Sequence, residues 1–521
     1  MSDNKNIRTP ENSNSGADKN AHVQYTAADK QVETIGRSLR GRLREVKTTR
    51  WIRFAVVSVI FFLWVIWMGN PWLMFVWIIL ADIYLTCYIP WNWWKKSDNK
   101  VVRTLMNWVD AIVYALILVY FIFAFIRQNY TIPSSSLEKS LLVGDYLWVN
   151  KAIYGPRVPQ TPLHFPLTQH TLPIVNTQSY FTNPQLDYHR LPGVRSVERG
   201  DIVVFNYPQG DTVVTGIDLA QGDYYEICAR LRGDGVTDPR RYILENPGRY
   251  GELKWRPVDR RENYVKRAVG LPGERLMIVD DVIYINGRPI STPGQAQFKY
   301  IVAVSQPVSP ETWRDLGVRL ENQGPIPGFD QLPGYAGAIA YSVPLTPEKV
   351  AEVSRWPTLV RPLVKENDLL DPENFTGVFP LGNHYGWTRS NMGELWIPQR
   401  GKTLKLTLNN LPIYRRAIET YEGNRVDVRN GQIYINGKPA DTYTFRMDYY
   451  WMMGDNRDWS ADSRYWGFVP EDHVIGSPMF ILVSFDEERG WGDGKVRWDR
   501  IFRSANPDKK LYGSEHRFPA S

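Results

Sequence analysis

Cysteine is almost absent from this 521-residue chain: Cys87 sits in an apolar run, Cys228 lies far away in a polar one, and there is no Cys-x-x-Cys pair. That excludes a disulfide scaffold and argues against even one bridge. Histidine is also scarce, with seven in all. Strong charge of one sign is missing as well. The 62 Lys plus Arg against 55 Asp plus Glu leave only +7, too little over this length to indicate general nucleic-acid binding. Disorder throughout is excluded by a 43% hydrophobic content. The length allows about three units, or one core with large insertions. The mean hydropathy of -0.36 resembles that of a soluble protein. It is a misleading average, because nine of the 20 tryptophans fall between Trp51 and Trp108.

Residues 1–34 are polar, without apolar periodicity, and read as a flexible tail with no cleavable signal peptide. Ile35, Leu39, Leu43 and Val46 then recur at helical spacing among Arg37, Arg40, Arg42, Arg44, Lys47 and Arg50. This predicts a basic amphipathic helix lying against anionic lipid, so that residues 1–50 form a cytosolic tail with a juxtamembrane helix. Three apolar stretches follow, and we expect each to span a membrane: 51–68 (Phe54 to Met68 with Trp51 and Ile52 at the interface), 71–90 and 105–126 (Leu105 to Ile126). The last is long enough to cross a hydrocarbon core of roughly 30 Å with about 20 residues. Trp and Tyr at the edges of all three fit an aromatic belt. Basic residues at 37–53, and Lys95, Lys96, Lys100 and Arg103 before the third stretch, place the N-terminus and the 91–104 loop in the cytoplasm. Everything after Arg127 is then expected outside it.

From Tyr130 the pattern changes to short β-rich runs broken by Gly, Pro and Asn-Gly, including Asp201–Phe205, Tyr264–Val269, Leu276–Ile285 and Asp448–Met453. The expected fold is a mostly β domain anchored by N-terminal transmembrane α-helices, with one helical exception at Leu411–Tyr421. Residues Gly273 to Pro289 align without a gap on Gly423 to Pro439. Two copies are too few for a solenoid, so we read one strand-turn-strand hairpin used twice. The expected division is a first core part at 130–290, an insert at 291–423, a second core part at 424–500 and a tail at 501–521.

Chemistry concentrates in three places. Ile132-Pro-Ser-Ser-Ser-Leu-Glu-Lys-Ser-Leu-Leu-Val-Gly-Asp145 is a Pro-started turn running into a strand, and its serines could simply form the turn. In Tyr264-Val-Lys-Arg-Ala-Val-Gly-Leu-Pro-Gly273 strand alternation places Lys266 on the face of Tyr264 and Ala268, with Arg267 on the other. The run Met453 to Pro470 packs three Asp and two Arg into a Gly-started loop. It lacks the pattern of a calcium loop, which leaves a structural charge network. Metals and cofactors are not expected. Arg199-Gly-Asp201 reads as a turn into a core strand, the sequons at Asn129 and Asn374 as chance matches, and His384 and the other histidines as ordinary surface or loop residues.

With four blocks in order, Ser134 to Asp145, Arg199 to Phe205, Tyr264 to Gly273 and Gly454 to Pro470, the chain resembles the type I signal peptidases. Much of 155–195, 208–262 and 291–423 lies outside that likeness. The resemblance implies Ser136 as nucleophile and Lys266 as general base, with Ser134 and the Ser136 amide as the oxyanion hole. It also implies Ser460 as the hydroxyl orienting the lysine, and Asp462 with Arg464 as a supporting ion pair. A serine needs a base, no histidine lies in these blocks, and a lysine serves once burial lowers its pKa from about 10.4 by up to ~3–5 units. Leu137 stands where the family usually has Met, Lys139 where Pro is common and Trp459 where Asn is common.

The implied activity is a serine endopeptidase of the bacterial cytoplasmic (inner) membrane, with a periplasmic catalytic domain. Its implied partners are the lipid bilayer and exported preproteins cut after an Ala-x-Ala-like pattern. The oligomeric state is open. Two alternatives remain: a relative of the self-cleaving repressors, opposed by three spans and no helix-turn-helix pattern, and an inactive envelope scaffold, opposed by the retention of Ser136, Lys266 and Ser460.

Overall fold

A computed structural model describes residues 46–507, Leu43 and Lys509, apart from 166, 176, 211, 218–222, 293–294, 320–324, 367–377 and 381–384. Most of the amphipathic helix expected at 35–46, the sequon at Asn374 and His384 lie outside the described residues. The chain divides after Val109 into two compact units.

The first unit begins with the helix Thr48–Met68, whose 21 residues are long and apolar enough to cross a membrane. It ends at Gly69, whose φ of 63° allows a left-handed cap, its amide donating to the Ile66 carbonyl. Asn70 Oδ1 then accepts from the Trp72 amide and Pro71 starts the return helix. Trp77 Nε1 donates to Ser58 Oγ at 2.9 Å between the two. The return helix, Pro71–Thr86, is shorter than the 71–90 stretch expected from sequence. Asn99 Oδ1 accepts from the Val101 amide and starts the next helix at Lys100, earlier than expected. With a final π turn it runs to Ile126, 27 residues in all. Two helices therefore pass the length test among the described residues. Their apolar side chains stay largely uncovered, with Ile66 76% and Trp108 68% exposed. About 20 such residues in a row are incompatible with water and suited to lipid.

The helix leads directly into a seven-stranded antiparallel sheet built from β1 Arg127–Thr131, β2 Asp145–Asn150, β3 Ile202–Asn206, β4 Asn263–Gly270, β5 Tyr449–Met453, β6 Val469–Pro470 and β7 Val474–Ser484. Their spatial order is β1-β2-β7-β3-β4-β5-β6. The register of β7 shifts against both β2 and β3, and such bulges bend a strand and increase its twist, so the sheet curls. Alternation sorts the two faces. On β3, Ile202 and Val204 pack with Leu137, Leu141 and Leu147, while Val203 and Phe205 pack with Ala268, Met452 and Trp466. Arg127, the basic residue on the far side of the third apolar stretch, lies over the Trp148 ring at 3.7 Å.

The duplicated segments fold alike. Leu276 pairs with Ile285 and Val426 with Ile435, and each hairpin adds a two-residue third strand. Asn286 and Asn436 both take a φ of 51°, and their side chains accept from the Arg275 and Arg425 amides. Both copies join one apolar core with Trp451 and Phe468. The 291–423 stretch is not uniform. Strands Phe298–Val304, Ile339–Leu345 and Val364–Lys365 make a separate sheet, with Trp313 in the cluster on one face and Phe329 in that on the other. Residues from Val378 onward, including the helical run Leu411–Tyr421, rejoin the core of the two hairpins. Both cysteines are free, Cys228 being buried beside Ile227 and Leu231.

Candidate active site

The loop 132–144 joins β1 to β2. Its base is closed by the Ile132 amide donating to the Asp145 carbonyl and the Gly144 amide donating to that of Ile132. Asp145, fully buried, takes a bidentate pair from Arg500 at 2.6 and 3.1 Å. Within the loop Ser135–Leu137 forms one 3-10 turn. Leu137, 1% exposed, anchors this turn in the apolar cluster beneath it, so the leucine supplies the apolar anchor expected of a methionine there.

Lys266 comes from β4, opposite Val203 in the middle of the sheet, and is 3% exposed. Its Nζ lies 2.7 Å from Ser136 Oγ. The ammonium donates along this line; in the amine form the hydroxyl proton lies on it and donation reverses. Burial is the largest influence on the lysine and draws it down to about 8; the Asp462 and Asp455 carboxylates oppose this and Arg464 adds to it. The pair therefore sets a serine hydroxyl against an amine poised near neutrality, within the reach that general-base catalysis requires.

Two buried ion pairs hold the surroundings. Arg464 grips Asp462 through Nε and Nη2, each at 2.9 Å, and Asp462 also accepts from the Gly454 amide. Arg267, on the face opposite Lys266, grips Asp455 at 2.8 and 2.6 Å, and Ser140 Oγ donates to the same carboxylate at 2.7 Å. Next in sequence, the Asn456 amide donates to the Ser136 carbonyl and its Nδ2 to that of Ser135, both at 3.1 Å. Gly454 permits this close approach. A Cβ there would stand 2.2 Å from Ser460 Oγ and 2.6 Å from the Ser136 carbonyl oxygen.

Sequence reasoning overlooked Arg267, Ser140, Asn456 and Arg500. The available signal was an arginine on the inner strand of a core block, since a fully buried guanidinium requires a carboxylate partner.

The other expected residues fall as follows. Ser134 is extended and exposed, and its hydroxyl does not cap the 3-10 turn. Ser460 is 5% exposed beside Gly454, and among the described residues its Oγ has no hydrogen-bonding partner, so it does not hold Lys266 in this conformation. Lys139 has a φ of 74°, a conformation closed to proline, and its Nζ donates to the Gly317 carbonyl of the inserted lobe. Trp459 lies under Lys299 Nζ, 4.3 Å from the ring centre. The strand entering that lobe runs along the same loop. The Gln297 amide donates to the Asp455 carbonyl, the Arg457 amide to that of Gln297, and the Lys299 amide to Asp458 Oδ2. The lobe thus braces the loop at two of the positions where the chain departs from the common pattern.

The expectation that all histidines are ordinary surface or loop residues fails at His473, which is 1% exposed in the turn before β7. Its Nδ1 donates to Asp472 Oδ1 at 2.6 Å and its Nε2 accepts from Arg261 at 2.8 Å. Burial draws it down to about 4 against the opposing pull of Asp472. Both ring nitrogens are occupied, so this Asp-His pair has no nitrogen left for a serine. Among the described residues no group of acidic, His or Cys side chains could hold a metal ion.

Comparison with known proteins gives a family and several relatives. The family described as "Signal peptidase, peptidase S26" matches residues 105–316 and 441–483. The chain is 22% identical to "Signal peptidase I" of Buchnera aphidicola subsp. Baizongia pistaciae (strain Bp), covering 81% of this chain and 91% of that protein. It is also 22% identical to "Signal peptidase I" of Haemophilus influenzae over 78% of each. Over 64 residues, 12% of this chain and 20% of the relative, it is 50% identical to "Signal peptidase I" of Buchnera aphidicola subsp. Acyrthosiphon pisum.

Proposed function

The chain belongs to the signal peptidase S26 family, and we infer that it is a serine endopeptidase removing signal peptides from preproteins through a dyad of Ser136 and Lys266. The observation that carries the dyad is the 2.7 Å contact between Ser136 Oγ and a buried lysine drawn down to about 8. In its amine form Lys266 takes the hydroxyl proton while Ser136 Oγ bonds to the scissile carbonyl carbon. The oxyanion that forms is met by the Ser136 amide and the Ser134 hydroxyl, a donor set of which each member is typically worth about 3–4 kcal/mol. The protonated lysine then gives its proton to the leaving amine as the C–N bond breaks. A water deprotonated by the same lysine cleaves the ester and frees Ser136.

Asp462 and Arg464 fix the wall behind the lysine, and Ser460 supplies a hydroxyl to it when substrate displaces the serine contact. The exposed Ser134 suits a residue that meets a ligand rather than its own backbone. The uncovered apolar helices support a membrane anchor. We place the N-terminus in the cytoplasm and the β domain on the outer face of a bacterial inner membrane, with the short middle helix completing three spans. An anchored enzyme meets substrates whose apolar segment lies in the same bilayer, which raises effective concentration with no added contact.

Ser136→Ala and Lys266→Ala test this reading. Each should abolish cleavage of a synthetic preprotein by the full chain in detergent while the protein stays folded. Wild-type turnover in either variant would refute the dyad.

A further inference from the structure

A cavity of about 430 Å³ lies where the helix ending at Ile126 enters β1, and neither Ser136 nor Lys266 lines it. The last turns of that helix contribute Val119, Tyr120, Phe123 and Ala124 to its lining, mostly apolar surface. The lining also carries three basic side chains, Lys151, Arg157 and Arg260, of which Lys151 reaches the helix at the Phe123 carbonyl. Two arginines and Lys151 share the cavity with one carboxylate, Asp259, and with His164, which burial chiefly draws below its usual range.

The two arginines are rigidly held. Arg157 donates to Asn206 Oδ1 and the Asp472 carbonyl, and Arg260 donates to Thr161 and the Gln169 carbonyl. Among the described residues Lys151 Nζ has one acceptor, the Phe123 carbonyl at 2.5 Å, for three N–H groups. Asp259 spends Oδ2 on the amide and hydroxyl of Thr161 and leaves Oδ1 buried without a donor.

From these fixed cations, an underused ammonium and a waiting carboxylate oxygen, we propose that the cavity binds a phosphate diester carrying a hydroxyl group, as an anionic glycerophospholipid headgroup presents. The phosphate oxygens accept from Lys151 and the arginines, the headgroup hydroxyl donates to Asp259 Oδ1, and the acyl chains leave along the apolar helix surface. Paired charge at a partly buried site makes such contacts stronger than at an open surface. Burial together with Arg157 and Arg260 draws Lys151 down to about 7, and a bound anion reverses that pull. Only the lipid as source rests on the membrane-anchored reading; the anion site itself does not.

The test uses the full chain, delipidated in a neutral detergent, with Tm shift and native mass spectrometry as readouts for dioctanoyl phosphatidylglycerol, dioctanoyl phosphatidylcholine and inorganic phosphate. The wild type should prefer phosphatidylglycerol over phosphatidylcholine by about tenfold. Lys151→Met should lose that preference and Lys151→Arg keep it, both with cleavage in lipid-free detergent unchanged. Inorganic phosphate binding as tightly as phosphatidylglycerol, with the same loss in Lys151→Met, would support the anion site and overturn the lipid as its occupant. Equal binding of the two lipids by the wild type would overturn the proposal without any variant. So would a preference that survives Lys151→Met, since the basic segment at 37–53 would then account for it.

Discussion

Adding one methyl group at Gly454 probes the proposed geometry more finely than deleting Ser136. The new Cβ would meet the Ser136 carbonyl oxygen at 2.6 Å, about 0.8 Å inside the 3.4 Å where ordinary contact begins. It would also meet Ser460 Oγ at 2.2 Å and Ser460 Cβ at 2.6 Å; the hydroxyl can rotate away, but the Cβ and the carbonyl, which belongs to the turn carrying Ser136, move only with their backbones. Relief therefore requires the 3-10 turn to move by most of an ångström, stretching the Asn456 amide bond to Ser136 and the 2.7 Å contact with Lys266. Misplacement by about 1 Å costs on the order of 10²-fold in rate, or about 2.7 kcal/mol of barrier. The overpacking should cost about 1–3 kcal/mol of stability, less than unfolds a domain of this size. Gly454→Ala should consequently remain folded and lose about 10²-fold in kcat/KM on a synthetic preprotein. The Gly454→Ala/Ser460→Ala double variant should be at least as impaired, because the carbonyl clash is untouched. A folded Gly454→Ala enzyme within twofold of wild type would refute the claim that the loop sets the nucleophile's position.

Other outcomes follow from the same contacts. With Lys266 at about 8, kcat/KM should rise about tenfold per pH unit up to about 8 and then level off. A plateau already reached at pH 6 would exclude Lys266 as base. The same lysine releases its proton at about 8 when folded and at 10.5 when free, so between these values the unfolded chain holds more proton and stability should increase with pH; urea titrations at pH 8 and 10 measure that contribution against a Lys266→Met background. Ser460→Ala removes a buried hydroxyl with no partner and should leave Tm unchanged or slightly raised. It should lower kcat more than it raises KM and shift the pH midpoint; an unshifted midpoint would deny Ser460 any hold on the lysine. Arg267→Met strands the buried Asp455 carboxylate and should cost about 3–5 kcal/mol by denaturant unfolding; a loss below 1 kcal/mol would show that this pair is not what fixes the loop.

The amino-acid sequence by itself determined much of this protein. Local rules suffice for the apolar helices, for the Asn-Gly hairpins whose two copies take the same turn, and for the face on which Lys266 stands, since each depends on neighbours a few residues away. The family blocks also singled out Ser136, Ser134, Asp462 and Arg464, and the fold shows where each stands. The tertiary structure decided what depends on approach between distant segments. That Ser136 and Lys266 lie at 2.7 Å across a separation of 130 residues follows from β4 pairing with β3 in the middle of a curled sheet. No spacing encodes that distance.

The same holds for Arg267 and Asp455, 188 residues apart, for the Gly454 approach to the Ser136 carbonyl, and for the inserted lobe that holds Lys139 and sets Lys299 over the Trp459 ring. A buried charge or an unusual φ is tolerable only when its compensating group arrives from elsewhere in the chain, and only the folded packing brings that group into place.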